Sequence, residues 1–411
     1  MLRRLSDLKL CALKITFVLL FSVNAFVNGQ NTLSGVVLDK ENHNLVTDAT
    51  VYINGTTIGT SSAMDGSFTL NNVSFPCQLM VSRVGYDLKM MNLDNLPTEK
   101  LTILLKLKTI QLSEVKVTGL NTRSQAVDNF RKLFLGSDSW GQKAKLMNDS
   151  VLVFNRYCDT VMINTDTVSA MIQFIDGIKY KKNDSINKLK ISSVFSVKAK
   201  APLIIDLPAL GYKLYVDLVS FYVIDNKANA ISKYLGYFYY KPYDYVSERQ
   251  ERRFRKSRLD AYYNSREHFC SMLFRRELRQ NGYLVEHYVT DDSTKQKYRQ
   301  FVNLYDFISY ADDNQIQITG QKGKTYFIYD FFNYDNKPID LTNKRFNFSS
   351  EAEFWQSNYA NMHQKSSISF TSDTCTIRWD GTIPDLNVMF GGKMSNKKVG
   401  AMIPADYLTG N

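Results

Sequence analysis

The stretch Val51–Leu70, VYINGTTIGTSSAMDGSFTL, decides how this chain is read. Short apolar and β-branched runs are broken by Asn54-Gly55, Gly59 and Asp65-Gly66. Branched and aromatic side chains pack well on a pleated surface, and glycine relieves the positive φ of a tight turn. The pattern therefore predicts a strand, a glycine turn, a short strand, a second turn and another strand. Asp-Gly predicts a type I′ hairpin at 64–67. Working outward, LSGVVLD (33–39), QLMVSRVGY (78–86) and KLTILLKLK (100–108) are further short runs at regular spacing. Several such strands in series predict a β-sandwich over residues 30–118.

The whole chain has 411 residues, room for two or three domains. With 44% hydrophobic residues it has enough apolar side chains for sizeable cores. Tyrosine and phenylalanine number 25 each against 8 prolines, a balance that favours sheet. The first 29 residues read as a secretory signal. Arg3, Arg4, Lys9 and Lys14 precede the apolar run ITFVLLFSV, and small residues follow it. Cleavage after Gly29, or after Ala25 as the alternative, removes four basic residues and one acid, so a net charge of +11 becomes +8. A cation of that size suits anionic lipid or polysaccharide surfaces, and export removes the chain from nucleic acid. Cys77, Cys158, Cys270 and Cys375 are far apart in sequence with no CxxC pair, and read as isolated buried thiols.

Gly35-Val36, Ala49, Val51, Gly55-Thr56, Gly59-Thr60, Asp65-Gly66, Phe68 and Gly85-Tyr86 stand in a specific order and spacing. In these residues the segment resembles the carboxypeptidase-regulatory-like domain, a transthyretin-like β-sandwich. The resemblance implies a structural turn motif at Gly55, Gly59, Asp65, Gly66, Gly85 and Tyr86. Ala63 stands where an acidic residue or threonine commonly precedes the Asp-Gly pair. The usual companions of this module are metallocarboxypeptidases and TonB-dependent receptors. LSEVKVTG (112–119) resembles the strand leading into a receptor plug, but no plug-like sequence follows it.

Residues 119–147 read as a helical linker, with Val127, Phe130, Leu133 and Phe134 at helical spacing and Gly136 as its stop. Residues 148–411 return to strand patterns such as SAMIQFIDGIKY (169–180), GYKLYVDLVSFYVI and YFIYDFFNY. Segments 201–221, 257–269 and 380–408 resemble an uncharacterised group of Gram-negative envelope proteins that also begin with the regulatory-like module. The fold class expected is mainly β with α+β character: the sandwich, the helical linker, then a larger sheet-rich domain with one long helix.

The candidate chemistry is sparse. His43, His268, His287 and His363 sit in neither HxxE nor HExxH, so the zinc-peptidase ligand set is missing. TGQKGKTYF (319–327) lacks the first glycine of a phosphate loop and lies between strand-like runs, which predicts a β-hairpin with a basic tip. No GxSxG elbow is present. These readings imply neither cofactor nor metal. The strongest local feature is RQERRFRKSRLDAYYNSREHFCSMLFRRELRQNGY (249–283), read as one long amphipathic helix ended by Asn281-Gly282. Arg252, Arg253, Arg255, Lys256 and Arg258 are its candidate contacts for an anionic surface. The function expected is an exported, non-enzymatic envelope module of the periplasm or outer membrane, binding an envelope protein, a glycan or an anionic membrane. The alternative is an envelope hydrolase, peptidase or glycosidase, whose site assembles only in the fold of 148–411.

Overall fold

A computed structural model describes residues 31–108, 123–157, 193–225, 230–290, 293–294, 296–312, 314–333, 337–343, 363–383 and 387–407. The signal reading of 1–29, the 112–119 strand, the 169–180 run and Cys158 fall outside these residues. The described chain is mainly β and is organised around three hydrophobic cores.

The first core belongs to the N-terminal sandwich. Its strands are β1 (Leu33–Asp39), β2 (Thr50–Ile53), β3 (Gly59–Ser61), β4 (Ser67–Leu70), β5 (Cys77–Ser82), β6 (Lys89–Leu93) and β7 (Leu101–Leu105). One sheet has the order β4-β1-β7 and the other β3-β2-β5-β6. Strict alternation along β1 buries Leu33, Val37 and Asp39 on the inner face. The Asp-Gly turn departs from the hairpin expectation. The Gly66 amide donates to Ala63 O, so the central residues are Met64 and Asp65, neither of which has positive φ, and Gly66 at the fourth position takes φ +69°. This geometry is a type I turn closed by a left-handed glycine, and it hands the chain from β3 in one sheet to β4 in the other. Asp65 accepts the Ser67 amide, and Tyr86 donates its hydroxyl to Asp39. Among the described residues Cys77, Cys270 and Cys375 are buried and outside any disulfide.

The second core contains α1 (Arg123–Leu135), α2 (Ser139–Lys143) and a six-stranded sheet. Its strands are β8 (Lys145–Leu146), β9 (Leu152–Tyr157), β10 (Ser193–Ala199), β11 (Leu203–Leu207), β12 (Tyr212–Asp225) and β13 (Ala230–Pro242). Helix α1 ends where Gly136 takes φ +104°. It is not a linker. Phe130 and Phe134 are fully buried and meet Phe221 edge-on at 5.0 and 5.9 Å between centroids, so the segment completes the core of the sheet it precedes. In β12 the inward residues are Tyr212, Leu214, Val216 and Leu218, and then Phe221 and Val223. A bulge between Leu218 and Ser220 changes the parity, and Val219 is left exposed. One extra residue is what it takes to return an apolar set to the core after the alternation slips.

Helix α3 (Glu248–Tyr262) adds Ala261 to the second core, and the third core contains α4 (Arg266–Arg275). Two sheets enclose it. One joins β14 (Tyr283–Thr290), β15 (Lys297–Phe301), β18 (Thr325–Phe331), β19 (His363–Phe370) and β21 (Val388–Gly392). The other joins β16 (Ile308–Asp312), β17 (Gln315–Thr319) and β20 (Thr374–Arg378). Strands β17 and β18 flank the 319–327 stretch but lie in different sheets, so the expected hairpin is a sheet-to-sheet crossing. Gly320 and Gly323 take φ +68° and +76° there, and no helix opens after it.

The sandwich docks on the outer face of the second sheet through the opening stretch itself. Gly55 N donates to Phe238 O at 2.7 Å, and Tyr240 N donates to Thr56 O at 3.0 Å, so the Asn54–Thr57 turn pairs with β13. Tyr52 stacks on Tyr239 at 5.5 Å, and Tyr239 stacks in turn on Tyr215 at 5.9 Å. Tyr52 and Ser82 each donate a hydroxyl to Asp217 at 2.6 Å. Burial raises the pKa of Asp217, and the two hydroxyls partly offset that. The C-terminal segment straps the three bodies together. β21 and Met394 belong to the third core, Val399 to the second, and Asp406 accepts the Thr57 amide while Ala405 N donates to Gly55 O at 2.9 Å.

Gly59 is bare because the Tyr239 ring occupies its side-chain space: a Cβ there would lie 2.3 Å from the ring. Tyr239 cannot yield freely, being stacked on both sides. Gly59→Val is therefore expected to loosen the docking by at least about 1.4 kcal/mol, the equivalent of tenfold faster local opening. Hydrogen exchange at the Gly55 and Tyr240 amides should accelerate accordingly while Val81, inside the sandwich, stays protected. Unchanged exchange at both interface amides would refute this account.

Candidate functional site

The basic stretch forms two helices. Ser247 caps α3 and its side chain and that of Gln250 make a reciprocal capping box. Glu248 and Glu251 lie in the first turn, where negative charge meets the positive end of the helix dipole. The helix ends at Tyr263, Asn264 adopts φ +62°, and Ser265 caps α4 by accepting the His268 amide. The single long helix expected from 249–283 is thus broken. Asparagine tolerates the left-handed region and serine is a strong N-cap, so Asn264-Ser265 is a stop followed by a start. Helix α4 ends in turn at Arg276, with φ +60°, five residues before Asn281.

The five candidate cations separate by face. Arg252, Arg253, Arg255 and Lys256 are exposed, as is Arg249. Arg252 pairs with Glu248 at 3.7 Å on the surface. Arg258 is not available to an external anion and is corrected to a structural role. It is buried, donates from Nε to Leu210 O at 2.8 Å, pairs with Glu251 at 2.9 Å and lies 4.3 Å over the Tyr212 ring. Position 258 falls on the same inward stripe as Phe254, Ala261 and Tyr262, and the sheet buries that stripe.

Beside the N-terminus of α3 is a shallow groove of about 290 Å3. Lys213, Tyr215, Lys241, Tyr243, Tyr245 and Gln250 are among the residues lining it. Lys213 and Lys241 are direct cross-strand partners on the outer face of β12 and β13. Asp206 is the cross-strand neighbour of Lys213 on the other side, and accepts the Tyr243 hydroxyl. Among the described residues neither lysine makes an ion pair. Asp244 is the carboxylate in the lining. The sequence reading missed this groove. The run Gly211-Tyr-Lys-Leu-Tyr-Val points Lys213 and Tyr215 to one face, but their partners across the strand pair, Lys241 and Tyr239, lie 28 and 24 residues away.

A second polar cluster is buried between the second and third cores. Lys397 donates to Asp260 O at 3.1 Å, to Ala261 O at 2.9 Å and to Tyr263 O, so it caps the C-terminal carbonyls of α3. Burial lowers its pKa to about 8. His268 Nδ1 lies 2.6 Å from the Tyr283 hydroxyl, and burial holds the imidazole neutral, with its pKa lowered to about 3. Asp330, the strand partner of Tyr283, is fully buried, and neither carboxylate oxygen has a hydrogen-bond partner outside its own residue. Desolvation raises its pKa to about 7. Among the described residues no three His, Cys, Asp or Glu side chains gather as a metal site would require.

Residues 33–117 match the family model of the CarboxypepD_reg-like domain. No curated protein matches the chain. A crystal structure from Bacteroides fragilis, of a protein of unknown function described as membrane-associated, aligns with 12% identity. The alignment covers 52% of this chain and 99% of that one, with a TM-score of 0.16.

Proposed function

We propose that this chain is an exported cell-envelope protein of the periplasm or outer membrane that works by binding an anionic envelope component. The observation that carries the reading is the exposed face of α3. Arg249, Arg253, Arg255 and Lys256 are solvent-exposed and make no ion pair among the described residues. Their charge is free to act on a partner, and a cluster of one sign steers and retains opposite charge in a salt-dependent way. The N-terminal pattern supports export. The CarboxypepD_reg-like module, pinned to the second sheet, serves as part of the scaffold that presents this face.

The test is retention on washed envelope fractions across a salt gradient. The triple change Arg252→Glu, Arg253→Glu and Arg255→Glu should lower the retained fraction about tenfold at low salt, with thermal stability within about 0.5 kcal/mol of the wild type because these are surface sites. A salt profile identical to that of the wild type would refute the reading.

A further inference from the structure

We infer that the groove between β12, β13 and the start of α3 is a binding site for an acidic saccharide. The inference rests on the anionic-partner reading and gives that partner a chemical class. Four features of the groove point the same way. Lys213 and Lys241 face each other on adjacent strands, a like-charge pair that an anion between the ammonium groups would relieve, and Asp206 flanks it on the Lys213 side only. Tyr215, Tyr243 and Tyr245 border the same space and supply aromatic faces against which the C–H faces of a sugar ring can pack.

Tyr245 is fully exposed and held at φ +57°, a backbone state that a bulky residue rarely adopts. Its ring packs on nothing among the described residues. Its neighbours fix the loop on both sides: Tyr243 N donates to Gly211 O at 3.1 Å, and Ser247 is locked in the capping box. The ring is therefore presented by a pre-organised loop, which limits the entropy lost on binding.

The charge continues beyond the groove. Gln250 lines it, and Arg253, three residues further along α3, stands next to Gln250 on the same ridge. A chain carrying repeated acid groups could place one between the two lysines and the next beside Arg253, with Gln250 and Asp244 meeting hydroxyls. The volume of about 290 Å3 is at the small end for ligand pockets, in keeping with one sugar unit held at a time.

The experiment measures binding of the exported chain to an oligogalacturonate, a neutral oligosaccharide of equal length, polyglutamate of matched charge, and vesicles rich in anionic lipid. The oligogalacturonate should bind and the neutral oligosaccharide should not. The double change Lys213→Gln with Lys241→Gln should weaken oligogalacturonate binding about tenfold or more, and Tyr245→Ala about threefold or more, with melting temperatures no lower than that of the wild type. Equal binding by polyglutamate, or no loss in the double lysine variant, overturns the inference. Vesicle binding that depends on Arg252, Arg253 and Arg255, with no oligogalacturonate binding, overturns it as well while leaving the broader reading of an anionic envelope partner standing.

Discussion

Gly381→Ala is expected to destabilise the third body by about 3–4 kcal/mol, far more than an alanine normally costs at a turn glycine. Gly381 has φ +83°, and a Cβ there would lie 1.9 Å from Glu267 O and 2.7 Å from Glu267 C. The left-handed conformation alone costs about 1 kcal/mol for alanine. The remainder, about 2–3 kcal/mol, comes from driving the 378–382 turn away from the first turn of α4. That turn cannot shift cheaply. Ser271 Oγ donates to Trp379 O at 2.9 Å, Arg378 N donates to Thr382 O at 2.9 Å, and Ile377 and Cys375 pack in one core with Phe269 and Leu273. Gly85→Ala is the internal control. Its φ is +91° but its Cβ would meet nothing within 4 Å, so only the conformational cost of about 1 kcal/mol is due. Urea denaturation of both variants decides the matter, and equal losses would rule out the steric account.

The second large effect is at Asp330. Its folded-state pKa of about 7 lies above the unfolded value of about 3.9. Above pH 7 the carboxylate is charged in both states and the folded state bears the full penalty of burying it. As pH falls through 7 the folded state takes up the proton first, so stability rises until the unfolded chain also protonates near pH 4. Between pH 8 and pH 5 this group should add about 2–3 kcal/mol to stability. Lys393 and Lys397 lower the Asp330 pKa from nearby, and Lys397, with its pKa near 8, finishes charging at the top of the same window. The difference between wild type and Asp330→Asn isolates the aspartate. Stability measured by denaturant at pH 8 and pH 5 should lose most of its pH slope in the variant. A slope equal to that of the wild type would show that Asp330 is solvated or paired in solution.

The candidate site was legible in part. Charge density singles out 249–258, and the structure leaves Arg252, Arg253, Arg255 and Lys256 exposed. It could not separate Arg258, whose charge is spent on Glu251, Leu210 O and the Tyr212 ring. Helical periodicity across Asn264-Ser265 looked continuous because the apolar stripe resumes in phase, although the local residues favour a break. The turn glycines were read for their φ. At Gly55, with φ +77° and open space around it, that is the reason it is needed, while at Gly66 the φ of +69° is joined by the Val37 carbonyl, 2.8 Å from where a Cβ would stand. At Gly59 the reason is the Tyr239 ring, about 180 residues away in sequence.

Local patterning by itself determined the strand-rich character, the sandwich at the N-terminus and the helix that stops at Gly136. These follow from short-range sterics, in which side-chain alternation, branched residues and glycine turns act within a few residues of one another. Only the tertiary structure decided that this helix belongs to a core rather than a linker, that strands flanking two turns part into different sheets, and that Lys213 meets Lys241. Those outcomes depend on which apolar faces bury each other, and burial is nearly non-directional. The stretch Val51–Leu70 holds both kinds of information. Its strands and turns are written in its own residues, while the reason its first turn sits on β13 lies in Phe238, Tyr239, Tyr240 and Asp406.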